Sequence, residues 1–202
     1  MTSLRLSVIG DSYTTGSDAG GYGVHNWVET MRENLRTDRG VSVTAQILAV
    51  GGSGYVRRGL DHTTFGDRAK QLSPDAQLVI VFGSRNDMEE VDGVAAAAAS
   101  TYSTIRHQSP AATLLIVGAP WVEAAAPASI TRINASLAEA SARVGAPFAD
   151  PAAAHWLSKQ DPRVIGGDGV HPTDFGHSLI AAHMERLVLR AIAQSTTSTA
   201  RP

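Results

Sequence analysis

The sequence predicts an α/β fold in which a five-stranded parallel sheet is covered by helices on both faces. Short apolar runs, typical of buried strands, alternate with longer segments whose apolar residues recur every three or four positions. Loops that we expect to be short join the two kinds of segment, and this alternation is typical of a sheet packed between two helical layers. The length of 202 residues fits one domain.

Five apolar runs predict the strands, and four periodic segments predict the main helices. We expect strands at residues 4–9, 41–50, 77–82, 113–118 and, most weakly, 147–149. We expect helices at residues 25–35, 91–108, 130–145 and 179–192, the second of them rich in alanine, the best helix former. The domain should therefore extend over residues 1–193, and the polar segment 194–202 should be a frayed tail.

Composition excludes several classes of function. The formal net charge is −2, with no basic or acidic block, which argues against a nucleic-acid partner. There are no cysteines, so disulfides, thiolate metal sites and a cysteine nucleophile are excluded. No apolar stretch approaches the roughly 20 residues that cross a bilayer. We expect a cytoplasmic protein, or a secreted one if a leader has been removed.

Five segments follow the predicted strands, the last of them beyond a short intervening segment, at the edge of the sheet where open α/β folds form their sites. The segments are "GDSYTTG" at 10–16, "GGSGY" at 51–55, "GSRNDM" at 83–88, "APWVE" at 119–123 and "GGDGVHP" at 166–172. Together they supply the groups that acyl transfer requires. A serine nucleophile needs a histidine base and an orienting carboxylate, which indicates Ser12, His171 and Asp168. The Ser12 amide, a glycine amide of "GGSG" and the Asn86 side chain are candidate oxyanion donors.

Four of these segments, "GDSYTTG", "AVGGSGY", "GSRND" and "DGVHP", resemble in this order the signature blocks of the SGNH hydrolases, also called GDSL esterases and lipases. The resemblance implies a flavodoxin-like three-layer fold with strand order 2-1-3-4-5, and ester hydrolysis without metal or cofactor. It implies Ser12 as nucleophile, His171 as base and Asp168 as the supporting acid. Its oxyanion donors would be Ser12, Asn86 and a second-block glycine, best matched by Gly52, with Gly51 and Gly54 as alternatives.

One position departs from the family pattern. The third block usually reads glycine, any residue, asparagine, aspartate, whereas Ser84 stands here in the glycine position. Asp11 and Asp87 flank the key residues, and we expect both to stabilise turns as hydrogen-bond acceptors. His171, His177 and His183 are six residues apart, a spacing that does not bring ligands together on a helix, so no metal site is expected.

Substrate contacts are predicted only from their position at the edge of the sheet that carries these segments. Trp121 and Arg85 are candidates, and Tyr13, Tyr22 and Tyr55 are weaker ones; covering the edge of the core explains Trp121 equally well. The expected partner is a small ester carrying an acetyl or short acyl group, with an acylated carbohydrate as one candidate. An acyl thioester or a lysophospholipid remains an alternative substrate, and the oligomeric state is open.

Two hypotheses of other classes compete with an esterase. A non-catalytic ligand-binding module on the same fold predicts an incomplete set of catalytic groups, whereas every member is present here. A phosphate or nucleotide binder would use "GDSYTTG" as an anion cradle. That hypothesis leaves Asn86 and "DGVH" without a role, and the sequence has no lysine-bearing phosphate loop.

Overall fold

The computed structural model describes residues 2–199, with side chains described as far as residue 194. Five parallel strands form one sheet in the order β2-β1-β3-β4-β5. The predicted fold class and strand order are therefore confirmed. The strands are β1 (Thr2–Gly10), β2 (Val41–Ala49), β3 (Leu78–Phe82), β4 (Thr113–Val117) and β5 (Phe148–Ala149).

Helices cover both faces of the sheet, and each face has its own apolar core. The helices are α1 (Ser12–Thr15), α2 (Trp27–Arg39), α3 (Phe65–Ala69), α4 (Val91–Gln108), α5 (Ala128–Arg143) and α6 (Asp174–Thr199), with short 3-10 helices at Gly23–His25 and Arg85–Glu89. Residues of α2 and α6 pack on one face, and residues of α3, α4 and α5 pack on the other. Every residue of β3 is buried, as expected for a central strand between two helical layers.

The last helix is longer than the sequence indicates at both ends. It begins at Asp174, and its backbone stays helical to Thr199, so it enters the segment 194–202 that we expected to be a tail. Residues 200–202 of that expected tail lie outside the described residues. Within residues 2–199, no helix combines the length and the apolar character that crossing a bilayer requires.

The connections are not uniformly short, contrary to the sequence expectation. Residues 50–64 and 150–173 are long irregular segments, apart from short turns, and both lie after the carboxyl ends of strands. They carry the segments "GGSGY" and "GGDGVHP" named above. Glycines interrupt the apolar periodicity of residues 50–64, and glycines and prolines interrupt that of residues 150–173, so the sequence marks both segments as loops without indicating their paths. The fold thus brings two long loops to the edge where β1 ends.

Candidate active site

The chain turns from β1 into the short helix α1 within one residue. The turn needs glycine at position 10, because a Cβ there would lie 2.3 Å from Oγ1 of Thr14. Asp11 caps the helix, and its Oδ1 accepts the amide hydrogen of Tyr13 at 2.9 Å. Ser12 is consequently the first helical residue, just after the end of β1 and on the wall of a groove.

Ser12, His171 and Asp168 form one continuous hydrogen-bonded chain. Oγ of Ser12 lies 3.0 Å from Nε2 of His171, and Nδ1 of the same ring lies 2.6 Å from Oδ2 of Asp168. Both distances are within hydrogen-bonding range. With Asp168 ionised, Nδ1 carries the hydrogen that the carboxylate accepts, and Nε2 is left to accept the serine hydroxyl.

The loop that carries Asp168 and His171 is fixed by its own backbone. Oδ1 of Asp168 accepts the amide hydrogens of Val170 at 2.8 Å and His171 at 3.0 Å. Tyr13 donates its hydroxyl to the carbonyl of Val170 at 2.5 Å, which joins this loop to α1. Desolvation opposes ionisation of Asp168, but the hydrogen bonds from the His171 ring, the His171 amide and the Val170 amide outweigh it and lower the pKa of the carboxyl to about 2.

Two glycines of the loop after β2 border the same groove. Gly52 has a φ of +76°, in the left-handed region that favours glycine, and Gly51 lies beside it. Within the described residues, the amides of Gly51 and Gly52 have no hydrogen-bond acceptor. Gly54 differs, because its amide already donates to the carbonyl of Arg57 and a Cβ there would lie 2.4 Å from Oδ1 of Asp87. This leaves Gly52 and Gly51 as the second-block residues that line the groove with amides unbonded in the described part of the chain.

Asp87 fastens this loop to the segment after β3. Its fully buried carboxylate accepts the amide hydrogens of Tyr55, Val56 and Arg57 at 2.8, 3.0 and 2.8 Å. Desolvation raises the pKa of Asp87 above its usual value, although the three backbone hydrogen bonds favour the charged form. Asp87 thus holds together two loops of the site, in agreement with its expected role as a structural acceptor.

Asp11 and Ser84 form a buried pair next to Ser12. Both are fully buried, and Oγ of Ser84 lies 2.8 Å from Oδ2 of Asp11. Burial raises the pKa of Asp11 to about 6, against the opposing hydrogen bonds from the Tyr13 amide and the Ser84 hydroxyl. The Asn86 side chain lies next to this pair, with Nδ2 2.9 Å from the carbonyl of Ser53. Asn86 also lines the groove beside Ser12.

The groove has a volume of about 660 Å³ and runs between α1 and the two long loops. Two apolar side chains stand at its rim, Tyr22 at 58% exposure and Leu60 at 85%. Leu60 was not predicted, because its loop has no periodicity that assigns side chains to a face. The lining residues are Ser12, Thr15, Gly16, Ser17, Asp18, Tyr22, Gly51, Gly52, Leu60, Asn86 and His171.

The structure corrects the predicted substrate contacts. Tyr13 is 1% exposed and Tyr55 3% exposed, because the first bonds to Val170 and the second places its hydroxyl 3.0 Å from that of Tyr102. Trp121 lies against the core, with the Arg85 guanidinium 4.6 Å from the centre of its ring. Neither Arg85 nor Trp121 is among the residues that line the groove. Tyr13 and Tyr55 are therefore core residues, and none of the four side chains lines the groove.

The evenly spaced histidines separate in the structure. His177 is buried, and desolvation lowers its pKa to about 4. His183 stacks on Trp156 with ring centroids 4.5 Å apart. In the part of the chain that the structure describes, no group of three or more histidine, aspartate or glutamate side chains is arranged to hold a metal ion.

Comparison with known proteins identifies the family. The sequence matches the GDSL-like lipase/acylhydrolase family over residues 8–179, and it is 39% identical to a GDSL lipase of Mycobacterium tuberculosis over 188 residues. That match covers 91% of this chain and 80% of the relative. The chain belongs to the GDSL-like lipase/acylhydrolase family. It is therefore a hydrolase of ester bonds.

Solved structures of low sequence identity share the fold. An esterase of Pseudoalteromonas sp. superposes with a TM-score of 0.71 at 12% identity, covering 94% of this chain and 98% of that one. A family two carbohydrate esterase of Clostridium thermocellum, solved with cellohexaose, also gives a TM-score of 0.71, at 16% identity over 94% of this chain and 65% of that one. At such identities the likeness establishes the three-layer architecture alone.

Proposed function

We propose that this GDSL hydrolase cleaves carboxylic esters of acetyl or short acyl groups through an acyl-enzyme formed on Ser12. The observation that carries the proposal is the hydrogen-bonded chain from Oγ of Ser12 to Nε2 of His171 at 3.0 Å and from Nδ1 to Asp168 at 2.6 Å. A serine hydroxyl becomes an effective nucleophile when a positioned base accepts its proton.

Each step moves a proton through the same ring. Oγ of Ser12 attacks the ester carbonyl while Nε2 of His171 takes the hydroxyl proton. The bond to the alcohol then breaks, His171 returns the proton to the alcohol oxygen, and the acyl group stays on Ser12. In the second half of the cycle water, deprotonated by His171, attacks the acyl carbonyl; the bond to Oγ of Ser12 breaks, the carboxylic acid leaves, and His171 returns the proton to Oγ.

The negative oxygen of each tetrahedral intermediate needs donors that are already in place. The amide of Ser12, the amide of Gly52 and Nδ2 of Asn86 supply them in this proposal. All three residues line one groove, and the Gly52 amide has no acceptor among the described residues. Gly51 has the same properties and is the alternative to Gly52.

The lining of the groove favours a short acyl group. Tyr22 and Leu60 are the large apolar side chains among its lining residues, and both are largely exposed. These two side chains offer contact for only a few carbon atoms, so a longer acyl chain would extend past them without burying further apolar surface. An acylated carbohydrate remains the candidate alcohol component, because Ser17 and Asp18 offer hydrogen-bonding groups beside the Tyr22 ring, which is suited to covering a sugar face.

A substrate panel tests the proposal. It contains chromogenic esters from two to sixteen acyl carbons, acetylated xylose and glucose, a short acyl thioester and a lysophospholipid, each measured with the parent protein and with Ser12→Ala. We expect the highest kcat/KM for oxygen esters of short chains, and no turnover by Ser12→Ala. A preference for long chains or for thioesters, or activity retained by Ser12→Ala, would overturn the proposal.

A further inference from the structure

The buried hydroxyl of Ser84 lies at the junction of three groups beneath the groove. Its Oγ is 2.8 Å from Oδ2 of Asp11, 2.8 Å from the carbonyl of Ser53 and 3.0 Å from the amide of Asn86. The Asn86 side chain approaches the same two acceptors, with Nδ2 2.9 Å from the Ser53 carbonyl and 3.4 Å from Oδ2 of Asp11. Ser84 and Asn86 therefore compete for one carboxylate oxygen and one carbonyl.

Counting hydrogens resolves this competition. A hydroxyl has one hydrogen to donate, and a carboxylate is a stronger acceptor than a carbonyl. The hydroxyl hydrogen of Ser84 therefore goes to Asp11, while an Oγ lone pair accepts the backbone amide hydrogen of Asn86. One Nδ2 hydrogen of Asn86 goes to the Ser53 carbonyl at 2.9 Å. The contact from Nδ2 to Oδ2 of Asp11, at 3.4 Å, is long for a hydrogen bond, so Asp11 holds the second Nδ2 hydrogen only weakly, and Asn86 itself lines the groove.

We propose that Ser84 is a positioning residue. Its hydroxyl donates to Oδ2 of Asp11 and thereby keeps the second Nδ2 hydrogen of the Asn86 side chain free for the oxyanion. The inference rests on the proposed function, since it assigns Asn86 as an oxyanion donor. Without the Ser84 hydroxyl, the buried Asp11 carboxylate lacks one of its hydrogen bonds. The nearest replacement donor is Nδ2 of Asn86, and its capture by Asp11 withdraws the donor from the substrate.

This mechanism gives the departure from the family pattern a role. Where the pattern has glycine, position 84 offers Asp11 no hydroxyl, whereas here the Ser84 hydroxyl is fully buried and lies within hydrogen-bonding distance of Asp11. Ser84 has a φ of −129°, which any residue adopts, so serine is not present to meet a special backbone requirement. The hydroxyl itself is the feature to be tested.

A double-mutant cycle tests the inference, with Ser84→Ala, Asn86→Ala and both together assayed on a short-chain chromogenic ester. Removal of an oxyanion donor lowers kcat by about 100- to 1,000-fold. We expect Ser84→Ala to lower kcat by about 10- to 100-fold with KM nearly unchanged, a part of that loss. In the Asn86→Ala background the same change should alter kcat by less than about 2-fold, because the donor is already absent.

Two further variants separate positioning from folding. Ser84→Gly removes the same hydroxyl but makes the backbone more flexible than alanine does. It should also lower kcat in the parent and have little effect in the Asn86→Ala background. Ser53→Ala is the matched control, because its buried hydroxyl donates to the carbonyl of Val50 at 2.7 Å, lies 3.4 Å from the carbonyl of Gly10, and makes no hydrogen bond to Asp11 or Asn86. It should show no coupling with Asn86→Ala. Thermal unfolding of every variant establishes that the fold is intact.

The possible failures are distinguishable. Equal losses of kcat from Ser84→Ala in both backgrounds, or no loss in the parent, would overturn the inference about Ser84 while leaving Asn86 as a donor. An unchanged kcat in Asn86→Ala would overturn the inference together with the assignment of Asn86. If the parent neither hydrolyses the ester nor reacts with a serine-directed phosphonate at Ser12, the proposed function itself fails.

Discussion

Replacement of Asp87 by alanine should destabilise the protein, because this carboxylate accepts three backbone amide hydrogens in a site closed to water. Each hydrogen bond to a charged group contributes about 1.5–3 kcal/mol, so the loss of all three could lower the free energy of unfolding by several kcal/mol at most. Part of that loss is offset, because alanine also removes a buried charge whose desolvation raises the pKa of Asp87. We therefore expect the free energy of unfolding to fall by about 3 kcal/mol.

Thermal unfolding followed by circular dichroism measures this loss. For a chain of this size 1 kcal/mol corresponds to about 2–4 °C, so Tm should fall by about 6–12 °C. Asp87→Asn keeps an acceptor oxygen but turns an amide nitrogen towards a backbone N–H, and it should lose about half as much. Asp92→Ala removes an exposed carboxylate paired with Arg132 on the surface and should change the free energy of unfolding by less than about 0.5 kcal/mol.

Activity should change together with stability. Asp87 holds residues 55–57, and the same loop carries Gly51 and Gly52, so its release should lower kcat of the folded fraction as well. A melting temperature for Asp87→Ala within about 2 °C of the parent would refute the reasoning. It would mean that water or other acceptors satisfy the three amides as well as the carboxylate does.

Three other changes have defined outcomes. Asn86→Ala should lower kcat by about 100- to 1,000-fold in steady-state assays and leave KM nearly unchanged; a change confined to KM would contradict its role as a donor. Asp168→Asn should lower kcat by about 10⁴-fold, because its amide cannot hold the Nδ1–H tautomer of His171. Since the pKa of Asp168 is lowered to about 2, its contribution to stability is present above the ordinary value of 3.8 and is lost as the pH falls through 2. The carboxylate is 46% exposed, so acid titration of unfolding should show a difference below about 1 kcal/mol between parent and Asp168→Asn. Ester hydrolysis should survive prolonged treatment with a strong chelator, and activity restored only by an added divalent metal would contradict the mechanism.

Apolar patterning predicts the layers of this fold well. Strands buried on both faces are continuous apolar runs, and the helices that cover them have apolar residues every three or four positions. The strands of the sheet fall within a few residues of the predicted runs. The strand order came from the resemblance, since periodicity does not show which strands are neighbours. The short helix α1 has no periodic signal at all, because four residues make barely one turn.

Apolar patterning does not show which individual side chains face the groove and which enter the core. Tyr13 follows Ser12 directly, but successive residues on a helix point about 100° apart, so Ser12 faces the groove while Tyr13 enters the core. Tyr55 is buried by a hydroxyl contact with Tyr102, which is distant in the sequence. In the sequence Ser84 is only a departure from the family pattern, because its partner Asp11 lies at the end of another strand and is distant in the sequence.

Covalent labelling of Ser12 tests the central claim most directly. The parent, Ser12→Ala and His171→Ala are incubated with a fluorophosphonate, and the modified peptide is identified by mass spectrometry. The account predicts one modified residue, Ser12, with no label in Ser12→Ala and a rate of labelling reduced by orders of magnitude in His171→Ala. Labelling of another serine with Ser12 unmodified, or an unchanged rate in His171→Ala, would contradict it.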